Sequence, residues 1–297
     1  MAVKNISIVG AGTMGSGIAH TFGQYGFAVK LYDLDTSQLQ QAKSNIEKNL
    51  SRQVKKGTLS ETEKNNSLGN ISLTTDKVLA FSQADLIIEA VSENKNSKGS
   101  VFQEIEKHKK EDCILATNTS SISITSLGSL CQNPSQVIGM HFMNPVPMMP
   151  LIEIIKGHKT AAFVVTQIQQ LSKQIGKVPL VVNDAPGFVA NRIAIPMIND
   201  AIETLVQGVS GVAEIDQIMK LGMGHPMGPL QLADFIGLDV CLAILDVLHL
   251  EFGKDKYAPS PLLRKLVAAG HLGRKTGIGF YEYSKDPKNP SVAPEFN

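Results

Sequence analysis

A strand, a glycine-rich turn, a helix and a second strand follow one another in the first 33 residues. That order commits the front of the chain to a parallel sheet. Residues 4–9 alternate and are rich in β-formers, Gly10-Ala-Gly12-Thr-Met-Gly15 forms the turn, Ser16 to Tyr25 reads as helix, and Ala28 to Tyr32 reads as the second strand, ending at Asp33. A bare G-x-G-x-x-G recurs by chance; between a strand and a helix it is the dinucleotide-binding fingerprint. Gly10 permits the tight turn, Gly12 lets a pyrophosphate approach the backbone, and Gly15 lets the helix pack close to the sheet. The helix N-terminus then offers unpaired N–H groups and the positive end of its dipole to phosphate. Asp33 follows Gly15 by 18 residues, near the ~20 expected of the acid that binds the adenine ribose. Its charge would repel a 2′-phosphate and no arginine follows at once, which favours NAD over NADP. The plainer readings are a glycine turn without a nucleotide and an aspartate that merely starts a turn.

The βα alternation continues. Thr36 to about Gly57 spaces Leu39, Ala42, Ile46 and Leu50 as a helix that Thr36 or Ser37 can cap and Gly57 can end. Its last turn gathers Arg52, Lys55 and Lys56, either to offset the helix dipole or to hold an anion. Residues 71–73 read as a strand, Asp85-Leu-Ile-Ile-Glu89-Ala-Val91 as a buried parallel strand, Ser97 to Lys110 as helix and Cys113 to Asn118 as strand. The hydroxyl cluster Asn118-Thr-Ser120-Ser follows at a strand's carboxyl end, where open α/β sheets bind ligands; Ser120 could instead cap the short segment beyond.

Two apolar runs, Gln136 to Phe142 and Leu151 to Ile155, flank the proline-rich segment that follows His141. Both are too short for helices and read as strands joined by a turn. Paired antiparallel, they would bring His141 close to Glu153, an acid–base pair at a strand end. Thr160 to Gln174 reads as helix and Val178 to Val182 as strand.

At Asn183-Asp-Ala-Pro-Gly187 the alternation stops. Helices are expected over Phe188 to Gln207 (kinked at Pro196), Val212 to Leu221, Pro229 to Phe235, Leu238 to Phe252 and Ser260 to Ala269, with strand character only at Gly279 to Tyr283 and a loose tail over the last dozen residues. The expected fold class is therefore α/β: a Rossmann-like, mostly parallel sheet domain over residues 1–184 and an all-helical domain over 185–297. The Leu238 to Phe252 helix is apolar on more than one face, which predicts a homodimer through the helical domain.

A formal net charge of +1 gives no global field for nucleic acid or an anionic membrane. No apolar run approaches the ~18 residues of a membrane span. The 3 cysteines, Cys113, Cys131 and Cys241, lie far apart and form no C-x-x-C, which fits a reducing compartment. The histidines have no metal-ligand spacing. A strand beginning within the first ten residues leaves no room for a targeting peptide, so the expected location is the cytoplasm.

Several segments together resemble the short-chain L-3-hydroxyacyl-CoA dehydrogenases, including the bacterial 3-hydroxybutyryl-CoA dehydrogenases, over nearly the whole length. They are Gly10-Ala-Gly-Thr-Met-Gly15, Asp85-Leu-Ile-Ile-Glu-Ala, Asn118-Thr-Ser-Ser, His141-Phe-Met-Asn-Pro-Val-Pro, Ala185-Pro-Gly-Phe-Val-Ala-Asn191-Arg, Gly224-His-Pro-Met-Gly-Pro229 and Gly273-Arg-Lys-Thr-Gly277. The resemblance implies a reversible NAD-dependent oxidation of a 3-hydroxyacyl-CoA. His141 would be the general base and acid, Glu153 would orient its ring, and Ser120 and Asn191 would bond the substrate's oxygens, with domain closure completing the site. It implies cofactor contacts at Gly10, Gly12, Thr13, Met14, Gly15, Asp33, Glu93, Lys98, Ser120, Asn144 and Lys275, and coenzyme A contacts at Asn49 and Lys56. The chain departs from the family's usual pattern at Met143, where phenylalanine is common, and at Pro150, where lysine is usual. Other readings keep the fold but change the substrate to a 3-hydroxy dicarboxylyl-CoA, a free hydroxy acid or a sugar acid. A further one is a non-catalytic protein on the same scaffold, as in lens crystallins related to this family.

Overall fold

The computed structural model describes residues 3–297. The chain divides into two compact units, Met1–Ala185 and Pro186–Asn297. The first is built on one sheet of eight strands in the order β3-β2-β1-β4-β5-β6-β7-β8. In chain order its elements are β1 (Asn5–Val9), α1 (Thr13–Gln24), β2 (Ala28–Tyr32), α2 (Thr36–Lys55), α3 (Glu61–Gly69), β3 (Ile71–Thr74), α4 (Lys77–Phe81) and β4 (Leu86–Glu89). Then come α5 (Lys95–Glu106), β5 (Ile114–Thr117), α6 (Ile124–Gly128), β6 (Val137–Phe142), β7 (Leu151–Lys156), α7 (Ala162–Gln174) and β8 (Val178–Asn183).

The strands from β3 across to β6 are all parallel. β7 then pairs antiparallel with β6, and β8 parallel with β7. Strands buried on both faces need continuous apolar runs, and β4, β5 and β6 are buried at every position. One core takes Ile8, Leu31, Ile88 and Ala116 from the sheet, Ile18 and Phe22 from α1, Leu39, Ile46 and Leu50 from α2, and Ile168 from α7.

Several boundaries differ from those the sequence suggests, each for a local reason. α1 starts at Thr13 because Gly12 already serves as its N-cap. The cap of α2 is Asp35, whose carboxylate accepts from the Ser37 amide, rather than Thr36 or Ser37. α5 starts at Lys95, capped by Asn94. Ser123, not Ser120, caps α6. Two helices have no sequence-based counterpart: α3, held by a reciprocal capping box between Ser60 and Glu63, and α4, capped by Asp76.

The second unit contains α8 (Ala190–Val206), α9 (Val212–Met223), α10 (Pro229–Ile236), α11 (Leu238–Phe252), α12 (Pro261–Ala268), β9 (Tyr281–Glu282) and β10 (Ser291–Val292). Pro196 lies inside α8 without ending it. α11 buries Leu238, Cys241, Ile244, Leu245 and Leu248 in the unit's own core, leaving Val240 and Leu250 exposed. The tail is ordered rather than loose: β10 pairs antiparallel with β9, and the Phe296 ring lies 5.5 Å from that of Phe280. Among the described residues no helix is long and apolar enough to cross a membrane.

Two buried aspartates tie this unit together. Asp216 accepts from the Leu230 and Gln231 amides at the start of α10 and from the Tyr281 hydroxyl. Asp234 accepts from the Phe280 and Tyr281 amides and the Tyr283 hydroxyl. Burial outweighs these donors and pushes Asp234 up from 3.8 to about 6. A raised carboxyl means that the folded chain holds this proton more tightly than the unfolded one. The stabilisation is complete below the ordinary carboxylate pKa and is lost as pH rises through about 6. Denaturant titrations of the wild type and Asp234→Asn at pH 4.5 and 7.5 should therefore show the wild type's advantage shrinking by about 2 kcal/mol at the higher pH; an advantage that grows with pH contradicts the assignment.

Candidate active site

The carboxyl ends of the parallel strands carry the glycine turn, Asp33, the Ser120 loop and His141. Gly10 has φ +102°, and a Cβ there would stand 2.7 Å from the Ala90 carbonyl oxygen. A Cβ on Gly15 would stand 1.8 Å from the Gly10 oxygen, so α1 can approach β1 only with glycine there. A Cβ on Gly12 would meet nothing within 4 Å, so the backbone on that side is open to a ligand. No side chain caps α1, leaving the amides of its first turn, at Thr13, Met14 and Gly15, to a ligand's phosphate.

Asp33 Oδ2 accepts from the Ala11 amide at 2.7 Å and Oδ1 from the Asp35 amide at 3.0 Å. Beside it a cavity of about 280 Å³ is lined by Gly10, Tyr32, Asp33, Leu34, Phe81 and Val101, among others. Its lining holds the carboxylates of Asp33 and Glu104 and neither lysine nor arginine. An apolar slot closed by a carboxylate at the end of β2 fits an adenine and its unphosphorylated ribose. The residues present therefore fit a dinucleotide of the NAD kind.

His141 and Glu153 are direct partners across the β6–β7 pairing. Directly opposed residues point to the same face, and the His141 Nδ1 lies 2.8 Å from Glu153 Oε2, with side chains 9% and 4% exposed. A carboxylate can only accept, so Nδ1 carries the proton and Nε2 is the basic nitrogen. At the neighbouring strand end the side-chain Oδ1 of Asn118 accepts from the Phe142 amide at 2.9 Å. That bond ties the Ser120 loop to the strand that bears His141.

A buried ionic network supports the loop. Glu89 and Lys98 are 0% and 1% exposed, and their charged atoms are 2.7 Å apart. Glu89 also accepts from the Val91 amide and the Thr117 hydroxyl. The Lys98 ammonium has three donors and three acceptors around it: Glu89 Oε1, the Val91 carbonyl at 3.2 Å and Glu93 Oε2 at 3.3 Å. Glu93 in turn accepts from the Thr119 hydroxyl at 2.6 Å and the Ser120 and Ser121 amides at 2.8 and 2.9 Å, with the Ser120 hydroxyl at 3.1 Å. Desolvation alone would raise the Glu93 carboxyl, but Lys98 and these donors outweigh it and hold it below its usual range. The family resemblance implies cofactor contacts at Glu93 and Lys98. The structure sets both in the frame that holds Ser120, together with Glu89, Thr117 and Thr119, which had not been singled out. The available signal was a glutamate inside an otherwise apolar strand, since a buried charge needs a partner.

Asn144, Asn49 and Lys56 belong to the first unit. Asn144 is exposed in the turn after β6. Asn49 accepts from Arg52 at 3.3 Å, and Lys56 ends α2 among exposed basic side chains. Asn191 and Lys275 belong to the second unit. Asn191 is the second residue of α8, and Lys275 donates to both carboxylate oxygens of Asp239, at 2.5 and 2.6 Å. Among the described residues no group of three or more His, Cys, Asp or Glu side chains could hold a metal ion.

A mostly parallel sheet with a fitted dinucleotide turn and a histidine–carboxylate pair defines a nicotinamide-dinucleotide enzyme in class. The comparisons refine this. Residues 5–185 match the family description "3-hydroxyacyl-CoA dehydrogenase, NAD binding domain", and residues 187–283 match "3-hydroxyacyl-CoA dehydrogenase, C-terminal domain". The chain belongs to the 3-hydroxyacyl-CoA dehydrogenase family. It is 50% identical to a probable 3-hydroxybutyryl-CoA dehydrogenase of Deinococcus radiodurans, covering 93% of this chain and 99% of the relative. It is 49% identical to a 3-hydroxybutyryl-CoA dehydrogenase of Clostridioides difficile, covering 94% and 99%. Among solved structures, the (S)-3-hydroxybutyryl-CoA dehydrogenase of Ralstonia eutropha superposes with a TM-score of 0.92 at 45% identity, covering 96% of this chain and all of that one.

The buried network generates a prediction. Lys98→Met leaves the Glu89 and Glu93 carboxylates facing each other without a cation, and removing one partner of a buried ion pair costs about 3–5 kcal/mol. Urea unfolding at pH 7 should show a loss of that size; a loss under 1 kcal/mol would mean that the network carries no such load.

Proposed function

We propose that the protein interconverts (S)-3-hydroxybutyryl-CoA and acetoacetyl-CoA with NAD. The observation that carries this reading is the buried His141–Glu153 pair, 2.8 Å apart at the same end of the sheet as the dinucleotide turn. Bound NAD supplies the hydride acceptor for C3 of the substrate. His141 Nε2 takes the 3-hydroxyl proton as the C3–H bond breaks, and returns it in the reduction. Glu153 fixes the ring through Nδ1 and favours the imidazolium that forms. Ser120, held by Glu93, and Asn191 bond the substrate oxygen. Gly10, Gly12, Thr13, Met14, Gly15 and Asp33 hold the dinucleotide, joined by Glu93, Lys98, Asn144 and Lys275. Asn49 and Lys56 bind coenzyme A, Lys56 as a point charge for a phosphate.

NADH oxidation followed at 340 nm with acetoacetyl-CoA tests the activity. His141→Gln should lower kcat by about 10²–10⁴-fold, the usual weight of general acid–base catalysis, while NADH still binds. Retained turnover refutes the assignment of the base.

We also propose a homodimer through the helical domain and a cytoplasmic location. The dimer is supported by apolar side chains exposed on α9, namely Ile218, Leu221 and Met223, and by Leu250 on α11. Light scattering at micromolar concentration should give twice the 32.0 kDa of the chain, and Leu221→Glu should shift it toward the monomer; a wild-type monomer sinks the dimer. The location is supported by three buried free thiols, which burial pushes up to about 12.

A further inference from the structure

We infer that Lys177 is a positioning residue for the reaction, clamping the turn between β6 and β7 against the dinucleotide helix α1. Lys177 immediately precedes β8 and is 7% exposed. Its ammonium donates to the Val146 carbonyl at 2.6 Å and the Met149 carbonyl at 2.8 Å. A carboxylate would be the usual compensation for a buried ammonium; here two backbone carbonyls of one turn take that place. The adjoining Val178 amide donates to the Pro150 carbonyl at 2.8 Å, so three carbonyls of residues 146–150 are held from the start of β8. This turn joins the strand of His141 to the strand of Glu153 and carries Asn144.

The other side of the clamp is α1. A Cβ on Gly17 would lie 3.0 Å from the Val146 Cβ, so the helix backbone rests directly on the turn. Gly176, at φ +70°, approaches the Tyr25 hydroxyl so closely that a Cβ there would stand 2.2 Å from it. Between these two contacts His20 lies on the same helix, near enough to feel the charge of Lys177. Burial first, and then that charge, lower it to about 4 and keep its ring neutral. The helix that begins at the dinucleotide turn is thus packed along the segment that ends β6. A change in the turn would shift the proton-transferring imidazole relative to the bound nicotinamide, and displacements of about 1 Å cost on the order of 10²-fold in rate.

The inference rests on the proposed activity, so its test has a readout independent of turnover. In Lys177→Met, hydrogen–deuterium exchange over residues 143–150 should quicken while β1 and β4 keep their protection. With acetoacetyl-CoA, kcat per folded molecule should fall at least about tenfold and NADH affinity should stay within about threefold. The isotope effect on kcat with hydride-deuterated NADH should rise as hydride transfer becomes limiting. A purely structural role would reduce the folded fraction and leave the isotope effect unmoved. Where Lys177→Met fails to fold, Gly17→Ala crowds Val146 from the opposite side and should produce the same fall in kcat and rise in isotope effect. Unchanged exchange over 143–150, or unchanged kcat and isotope effect in the folded variants, overturns the clamp. A wild type that binds NADH but leaves acetoacetyl-CoA unreduced overturns the proposed activity instead, and the exchange measurement still decides the clamp.

Discussion

Between β6 and β7 the sheet changes direction, and the candidate chemistry depends on that change. Parallel strands need a long crossover and deliver their carboxyl ends to one edge, so a group on the next parallel strand would reach that edge only from its own far end. An antiparallel return after a short turn does something different. It begins β7 where β6 finishes, and sets Glu153 directly across from His141 on the same face. The Gly10 turn, the Ser120 loop and the His141 strand end are then gathered at one edge by parallel pairing, and Glu153 reaches it by reversal. The identity of the turn residues matters less than the register. A slip of one residue would turn His141 and Glu153 to opposite faces.

The same edge contains charge that a sheet core would ordinarily exclude. Glu89 lies within a strand buried at every position, and leaving it ionised there without compensation would cost several kcal/mol. The Lys98 ammonium, the Thr117 hydroxyl and the Val91 amide supply that compensation. Lys98 also reaches Glu93, and Glu93 gathers the amides after β5. Each member needs the next, so the loop of Ser120 is fixed by hydrogen bonds of the protein's own groups. Fully satisfied polar networks of this kind rigidify a site, whereas a half-satisfied one would be worse than none.

The extent to which this was legible in the sequence follows the periodicity of each segment. Strands with continuous apolar runs and helices with a sustained 3.6 spacing, such as β4 and α2, could be read directly, as could the closeness of His141 to Glu153 once two short runs flanked a proline-rich turn. α3 could not, because Ser67 is its one buried residue and its stability lies in a capping box rather than an apolar face. α4 is five residues long, too short for a period to show. The tail looked polar and loose because its anchors are single residues, Ala293 and Phe296, rather than a pattern. Lys177 was invisible for a related reason. Its partners are backbone carbonyls, which every sequence has, and their closeness is a property of the folded turn.

Asp33 shows how specificity and architecture become inseparable in such a site. Were it only a ligand for a ribose hydroxyl, exchanging it for a residue that welcomes a 2′-phosphate would be a local matter. But its two oxygens already accept from the Ala11 amide in the glycine turn and the Asp35 amide beyond β2. Asp35 in turn caps α2 through the Ser37 amide. The carboxylate is therefore oriented before any dinucleotide arrives, with each oxygen retaining a lone pair for a hydroxyl donor. A basic replacement would confront two backbone N–H groups with a donor where they need an acceptor, and would loosen the turn that must face the pyrophosphate. The orientation of the Asp33 carboxylate and the shape of the glycine turn thus rest on the same hydrogen bonds, and neither can be altered without disturbing the other.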